Sequence, residues 1–196
     1  MMSLKQRRRL LRVLFWVVSI LMVAFVAGGF FLPRRLKVLQ SITIRADAVA
    51  TYDKLQSFKQ WESWAPWFQR DRFVEKQFEG AESGPGAVMT WKSQSEGDGS
   101  IRVVSALIPQ TVNMTVRLGD YGEAETWFEL NDAGGGLTEV TWGFQTDFGQ
   151  NMARRYFGLL FAGRVKRDLQ EGLQNLKKVL EQPVAASGNP SASHSP

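Results

Sequence analysis

The 196-residue chain contains one histidine, His194, and no cysteine. Disulfides, thiolate nucleophiles and Cys-ligated metal sites are therefore excluded. His194 stands in a terminal stretch, VAASGNPSASHSP, that is rich in Ser, Ala, Pro and Gly and lacks apolar periodicity, so residues 182–196 read as a disordered tail. Imidazole acid–base chemistry and His-ligated metal sites are excluded from the folded part with it, and no metal or cofactor is expected. Catalysis would fall to carboxylates, Arg, Lys, Tyr or Ser. The candidates for an inward acid or base are Tyr52, Arg102 and Glu139, because strand alternation turns most charged residues outward. They form no convincing acid–base constellation, so the reading leans away from an enzyme.

Two aromatic segments offer binding chemistry instead. In Phe58-Lys-Gln-Trp-Glu-Ser-Trp-Ala-Pro-Trp67 a spacing of three places Trp61, Trp64 and Trp67 on one side of a short helical turn. There they could close one end of a barrel or touch a ligand. The segment Asn151-Met-Ala-Arg-Arg-Tyr-Phe157 joins Arg154 and Arg155 to an aromatic pair, a combination suited to a lipid headgroup interface. Ordinary solvated charges at a helix start would read the same way. Trp127, between Glu125 and Glu129, falls on an outer face, as a partner surface or as a ring partly covered by neighbours.

The elements that must position these residues follow from pattern. A strand over Val38–Ile44 puts Ile42 and Ile44 on one face. Asp47 is a plausible N-cap for a helix through Ala48, Tyr52 and Leu55. From about Arg72 to Phe148, strands are punctuated by GAESGPG (80–86), SEGDGS (95–100), Pro109, GDYG (119–122) and NDAGGG (131–136), which predicts an antiparallel meander. By parity Met89 and Trp91 share a face, as do Val112, Met114, Val116 and Leu118. Ala124, Thr126, Phe128 and Leu130 oppose Glu123, Glu125, Trp127 and Glu129. Val140, Trp142, Phe144 and Thr146 oppose Glu139, Thr141, Gly143 and Gln145. A long helix closes the domain, about Asn151 to Leu180, with Val165, Leu169, Leu173, Leu176 and Leu180 at helical spacing and Gly172 where something packs close.

Ahead of this domain lies an uncharged run, Val13 to Leu32, with Ser19 as its polar side chain. At about 1.5 Å of rise per residue it spans about 30 Å, the thickness of a bilayer core. Lys5, Arg7, Arg8, Arg9 and Arg12 precede it, and Arg34, Arg35 and Lys37 follow. The larger cluster keeps the N-terminus (1–12) in the cytoplasm and sends the domain, 36–181, outside. A cleaved signal peptide has the same order of basic and apolar residues. Its small-residue sites, Val26-Ala27-Gly28 and Ala27-Gly28-Gly29, lie deep in the apolar run, and the favoured reading is a transmembrane helix over 13–32 that breaks at Pro33. Ala24 and Gly28 form a small-xxx-small pair, common in such spans.

The chain carries a formal net charge of +5, yet eight of its 24 basic residues lie in the first 37, where there is no acid. The remainder has 16 basic residues against all 19 acidic ones, so the domain is mildly acidic and a nucleic-acid role is disfavoured.

Three pieces then resemble the START-like superfamily, whose helix-grip fold is shared by polyketide cyclases, pollen-allergen-type proteins and lipid-transfer domains. They are the Phe58, Trp61, Trp64, Pro66, Trp67 pattern, the hairpin Gly84-Pro-Gly-Ala-Val-Met-Thr-Trp91, and the ending Gly172-Leu-Gln-Asn-Leu-Lys177. The likeness covers about Leu36 to Glu181 and is greatest to a membrane-anchored bacterial subset, which implies the bacterial inner membrane. It implies an α+β fold, a curved antiparallel sheet of about seven strands around the terminal helix. It also implies a tunnel for apolar ligands, lined here by Met89, Trp91, Met114, Phe128, Trp142, Phe144, Phe157, Phe161 and Val165, although the same residues could simply fill a core. First and last strands would be antiparallel neighbours, which brings the cavity mouth near the bilayer and Arg154 and Arg155 toward phosphates. Three functions stay open: a non-catalytic binder of a lipid- or isoprenoid-like molecule, a cyclase- or dehydrase-type enzyme, and a scaffold for an envelope protein partner.

Overall fold

The computed structural model describes residues 4–119 and 122–182. Most of the expected disordered tail, with His194, lies outside them. The chain opens with helix α1, Leu4–Phe31, which takes in the basic cluster as well as the apolar run. Among the described residues it is the one helix long and apolar enough to cross a membrane, over Gln6–Phe31. The helix stops just short of Pro33, whose ring removes a backbone donor and biases Leu32 away from helix.

Strand β1, Arg35–Ile44, follows within four residues of α1. Asp47 then caps α2, Ala48–Gln56, by accepting from the Ala50 amide at 2.8 Å. A 3₁₀ turn, Phe58–Ser63, carries Trp61, the short α3, Pro66–Arg70, carries Trp67, and Trp64 lies between them. Pro66 stands at the start of α3, where its missing N–H would have no intrahelical partner anyway. Six more strands complete the sheet: β2, Glu75–Gly80; β3, Ala87–Lys92; β4, Gly99–Leu107; β5, Thr111–Leu118; β6, Glu123–Gly134; and β7, Leu137–Asp147. Helix α4, Met152–Glu181, ends the described chain, and the Asn151 side chain caps it by accepting from the Arg154 amide at 3.2 Å.

All pairings are antiparallel and the strand order is β1-β7-β6-β5-β4-β3-β2. The meander supplies neighbours from β2 to β7, and β1 returns to pair with β7 from Arg35↔Asp147 to Ile44↔Thr138. Alternation works as the sequence predicts: Val112, Met114 and Val116 are buried, as are Ala124, Thr126, Phe128 and Leu130, while Glu123, Glu125 and Glu129 are exposed. This is the helix-grip fold, a seven-stranded sheet gripping α4.

The register sorts the structure into two ends. One end gathers the start of β1, the end of β7, the β3–β4 and β5–β6 turns and the start of α4. The opposite end holds α2, the β2–β3, β4–β5 and β6–β7 turns and the end of α4. Between the two ends Gly172 lets α4 approach the sheet: a Cβ on it would come within 2.7 Å of the Trp142 ring, in mid-β7, and 3.3 Å of Pro66.

Candidate functional site

Between the sheet and the first half of α4 lies a cavity of about 510 Å³, a volume ordinary for small-molecule sites. The inward faces of β3 and β7 contribute Met89, Trp91, Trp142 and Phe144. Helix α4 contributes Phe157, Leu160, Phe161, Val165 and Leu169 at the i, i+4 spacing that keeps one face turned to the sheet. Trp61 and Trp67 form the wall toward α2. Their rings belong to an aromatic cluster in which Trp61 lies 6.2 Å and Trp67 6.0 Å from Trp142.

Seven of the nine expected lining residues are on this wall: Met89, Trp91, Trp142, Phe144, Phe157, Phe161 and Val165. Met114 and Phe128 face inward but are buried outside it. Phe128 is screened by rings, with Trp142 at 4.8 Å and Trp61 and Trp64 at 6.1 Å. Met114 is buried on β5, opposite Val103 and Thr126 in the register. Trp64 is fully buried behind Trp142 at 5.6 Å and does not reach the cavity. Val116 and Leu118 do reach it; parity had already put them on one face with Met114.

The polar members of the wall come from contacts that no local pattern announces. Ser95, Glu96 and Gly97 of the β3–β4 turn meet Arg164 and Asp168 of α4. Glu96 receives Arg70 Nε at 2.9 Å and an Arg164 nitrogen at 2.6 Å, and Arg70 also reaches Asp168 at 3.0 Å. Both carboxylates on the wall are thus held by guanidinium groups. Thr126, the buried polar residue of the wall, donates to the Gly143 carbonyl at 2.8 Å and accepts from Trp142 Nε1 at 2.9 Å. This pair of bonds fixes the ring that forms the cavity floor.

The β3–β4 turn is tied down a second time by Asp71. Its carboxylate accepts from Ser93 Oγ at 2.6 Å, from the Phe73 amide at 2.9 Å and from Ser95 Oγ at 3.1 Å. The Ser93 hydroxyl and the Phe73 amide hold the Asp71 carboxyl below the usual carboxylate range.

None of the three acid–base candidates lines the cavity. Arg102 and Glu139 are exposed on the outer face. Tyr52 is buried on α2, and its hydroxyl has no hydrogen-bond partner among the described residues. Burial raises its phenol above the ordinary value, and nearby Asp53 adds to the rise. Trp127 is half-covered: its ring overlies Gly143, where a Cβ would fall 2.2 Å from it, and Lys37 Nζ stands 5.4 Å from the ring centre.

The two arginines at the start of α4 part company. Arg154 is exposed beside the β5–β6 turn. Arg155 is only 5% exposed, and its guanidinium is taken up by backbone carbonyls. It donates to the Gly149 carbonyl at 3.1 and 2.8 Å and to the Gly29 carbonyl at 3.3 Å. Gly29 lies in the last turn of α1, where carbonyls lack intrahelical partners and attract a cation. These carbonyls hold the Arg155 guanidinium inward.

Residues 35–181 match the family described as polyketide cyclase / dehydrase and lipid transport. No curated protein matches the chain in sequence. Among solved structures, the Aha1 dimer from Colwellia psychrerythraea is 16% identical, with a TM-score of 0.55 over 75% of this chain and 97% of that one. A protein from Thermobifida fusca is 15% identical, with a TM-score of 0.58 over 74% and 92%. A protein of unknown function from Staphylococcus aureus is 11% identical, with a TM-score of 0.58 over 75% and 94%. At these identities the likeness is one of fold. The match over 35–181 carries the assignment, and the chain belongs to the polyketide cyclase / dehydrase and lipid transport family, a START-like helix-grip domain following an apolar N-terminal helix.

Proposed function

We propose that this protein is a membrane-anchored binder of an apolar, lipid- or isoprenoid-like ligand, held between sheet and α4 without being chemically changed. The observation that carries the reading is the character of the wall: an aromatic and aliphatic pocket whose carboxylates, Glu96 and Asp168, are already held by Arg70 and Arg164. A cyclase or dehydrase needs a positioned proton donor or acceptor, and Tyr52, Arg102 and Glu139 lie off the wall. A pocket of this volume also weighs against a filled scaffold that acts only through its outer face. In this reading α1 anchors the protein in the bacterial inner membrane, with the basic N-terminus cytoplasmic and the domain on the far side. Arg154, exposed at the start of α4, extends its long side chain back to the headgroups at the mouth.

The test uses a diazirine-bearing fatty acid in vesicles carrying the full chain. Photolabelling is expected on the inward residues Met89 and Trp142. It should fall several-fold in Val165→Trp, which places an indole in the pocket. Label confined to outward residues, or labelling of Met89 and Trp142 unchanged by Val165→Trp, would count against the binder.

A further inference from the structure

Helix α4 does not start clear of α1; it starts alongside it. Met152 packs on Gly29, where a Cβ would lie 3.3 Å from its side chain. One turn later the Tyr156 ring stacks on Phe25, with centres 4.3 Å apart and planes 12° apart, and the Tyr156 hydroxyl donates to the Phe25 carbonyl at 2.5 Å. As α4 advances from Met152 to Tyr156, its partner on α1 steps back from Gly29 to Phe25. The two helices are therefore antiparallel at this junction, and α4 descends along α1.

That direction sets a depth. Phe25 lies seven residues before Leu32, the end of the apolar run, which is about 10 Å at 1.5 Å per residue. If the run spans a bilayer core, Tyr156 sits about 10 Å inside its boundary. The residues that follow suit that place. Tyr156-Phe-Gly-Leu-Leu-Phe-Ala-Gly163 contains no charge. Phe157, Leu159 and Leu160 are 38%, 55% and 80% exposed. Phe73, 93% exposed, stands two residues before β2, whose Glu75 pairs with Lys92 at the same end of the sheet. From Val165 onward α4 turns its apolar residues into the core.

We propose that the first turns of α4, around Tyr156–Gly163, are immersed in the acyl layer of the bilayer beside α1, so that the cavity opens sideways to lipid. This rests on the reading of α1 as a membrane anchor. Phe157, Leu160 and Phe161 belong both to this segment and to the cavity wall. An acyl or isoprenoid chain then passes from the bilayer into the pocket without crossing water, and the exposed leucines are solvated by lipid tails.

The absence of cysteine makes the test direct. Single variants Leu160→Cys, Leu159→Cys, Met22→Cys and Val104→Cys of the full chain are spin-labelled and reconstituted in phosphatidylcholine–phosphatidylglycerol vesicles. Collision with dissolved oxygen is compared with collision with a water-soluble nickel chelate. Labels at 159 and 160 are expected to favour oxygen nearly as much as the α1 label at 22. The label at 104, exposed on β4, is expected to favour nickel. Nickel-favoured labels at 159 and 160 beside an oxygen-favoured label at 22 would overturn the proposal while leaving the anchor intact. Nickel-favoured labels at all four positions would overturn both. Oxygen-favoured labels at 159 and 160 support the immersion even if the pocket takes no ligand.

Discussion

Single residues set the shape of the pocket, and two of them can be weighed. Thr126 is a hydroxyl in an apolar wall, held there because it serves Trp142 Nε1 and the Gly143 carbonyl together. Thr126→Val keeps the volume but orphans a buried indole N–H, which costs about 1–3 kcal/mol. Guanidinium unfolding of the detergent-solubilised chain should show a lower midpoint with an unchanged slope. Gly172 is a second case. Alanine is ordinarily the better helix former by about 1 kcal/mol, yet here its methyl meets a buried Trp142 ring at 2.7 Å. Overpacking of that kind typically costs about 1–3 kcal/mol, so Gly172→Ala is expected to lower the midpoint or leave it level; a clear rise would show that the ring yields freely. Gly172 was legible in the sequence as a close approach on an otherwise apolar helix face. Arg155 was not, because its inward turn depends on the Gly29 carbonyl, 126 residues away.

Among the elements, the strands were the most legible, since period-two alternation is imposed by the pleat and the Gly/Asp turns mark each reversal. The same alternation sorts inward from outward but says nothing of depth. Phe128 therefore reads as lining although tryptophan rings cover it, and Met114 although it is buried off the wall. The β3–β4 turn was the least legible element that matters. It crosses from the sheet toward α3 and α4 through Glu96 and is anchored by Asp71, and both tethers join residues distant in sequence. Asp71 makes a pH prediction. Its carboxyl is depressed in the folded chain, so its stabilisation of the turn is fully present above the ordinary value, about pH 4, and is lost as pH falls through the folded value. Amide exchange over 93–98, corrected for its intrinsic pH dependence, should stay slow from pH 7 to about 5 and quicken below about 4. Ser93→Ala, which removes the main hydrogen bond to Asp71, should shift that quickening to higher pH. A turn that loosens equally with and without the Ser93 hydroxyl would assign its order to Glu96 and to Asp98, which accepts from the Ser93 amide at 3.1 Å.

At the scale of the whole molecule the charge and the apolar surface are divided. Basic residues crowd the α1 side, and the domain is mildly acidic. The cavity shares its Phe157 and Leu160 wall with the end at which α1 enters. The length and position of the apolar run were plain in the sequence. The antiparallel contact of α1 with α4 was not, because Phe25 and Tyr156 are 131 residues apart. A membrane-anchored binder of this kind must hold in its pocket an apolar molecule drawn from the membrane. Native mass spectrometry of the full chain released from lipid nanodiscs tests this most directly. A non-covalent adduct is expected, released on unfolding, that extracts into organic solvent and is lost in Val165→Trp. A parent chain and a Val165→Trp variant that both fly as bare polypeptide, with the pocket confirmed to be folded, would contradict it.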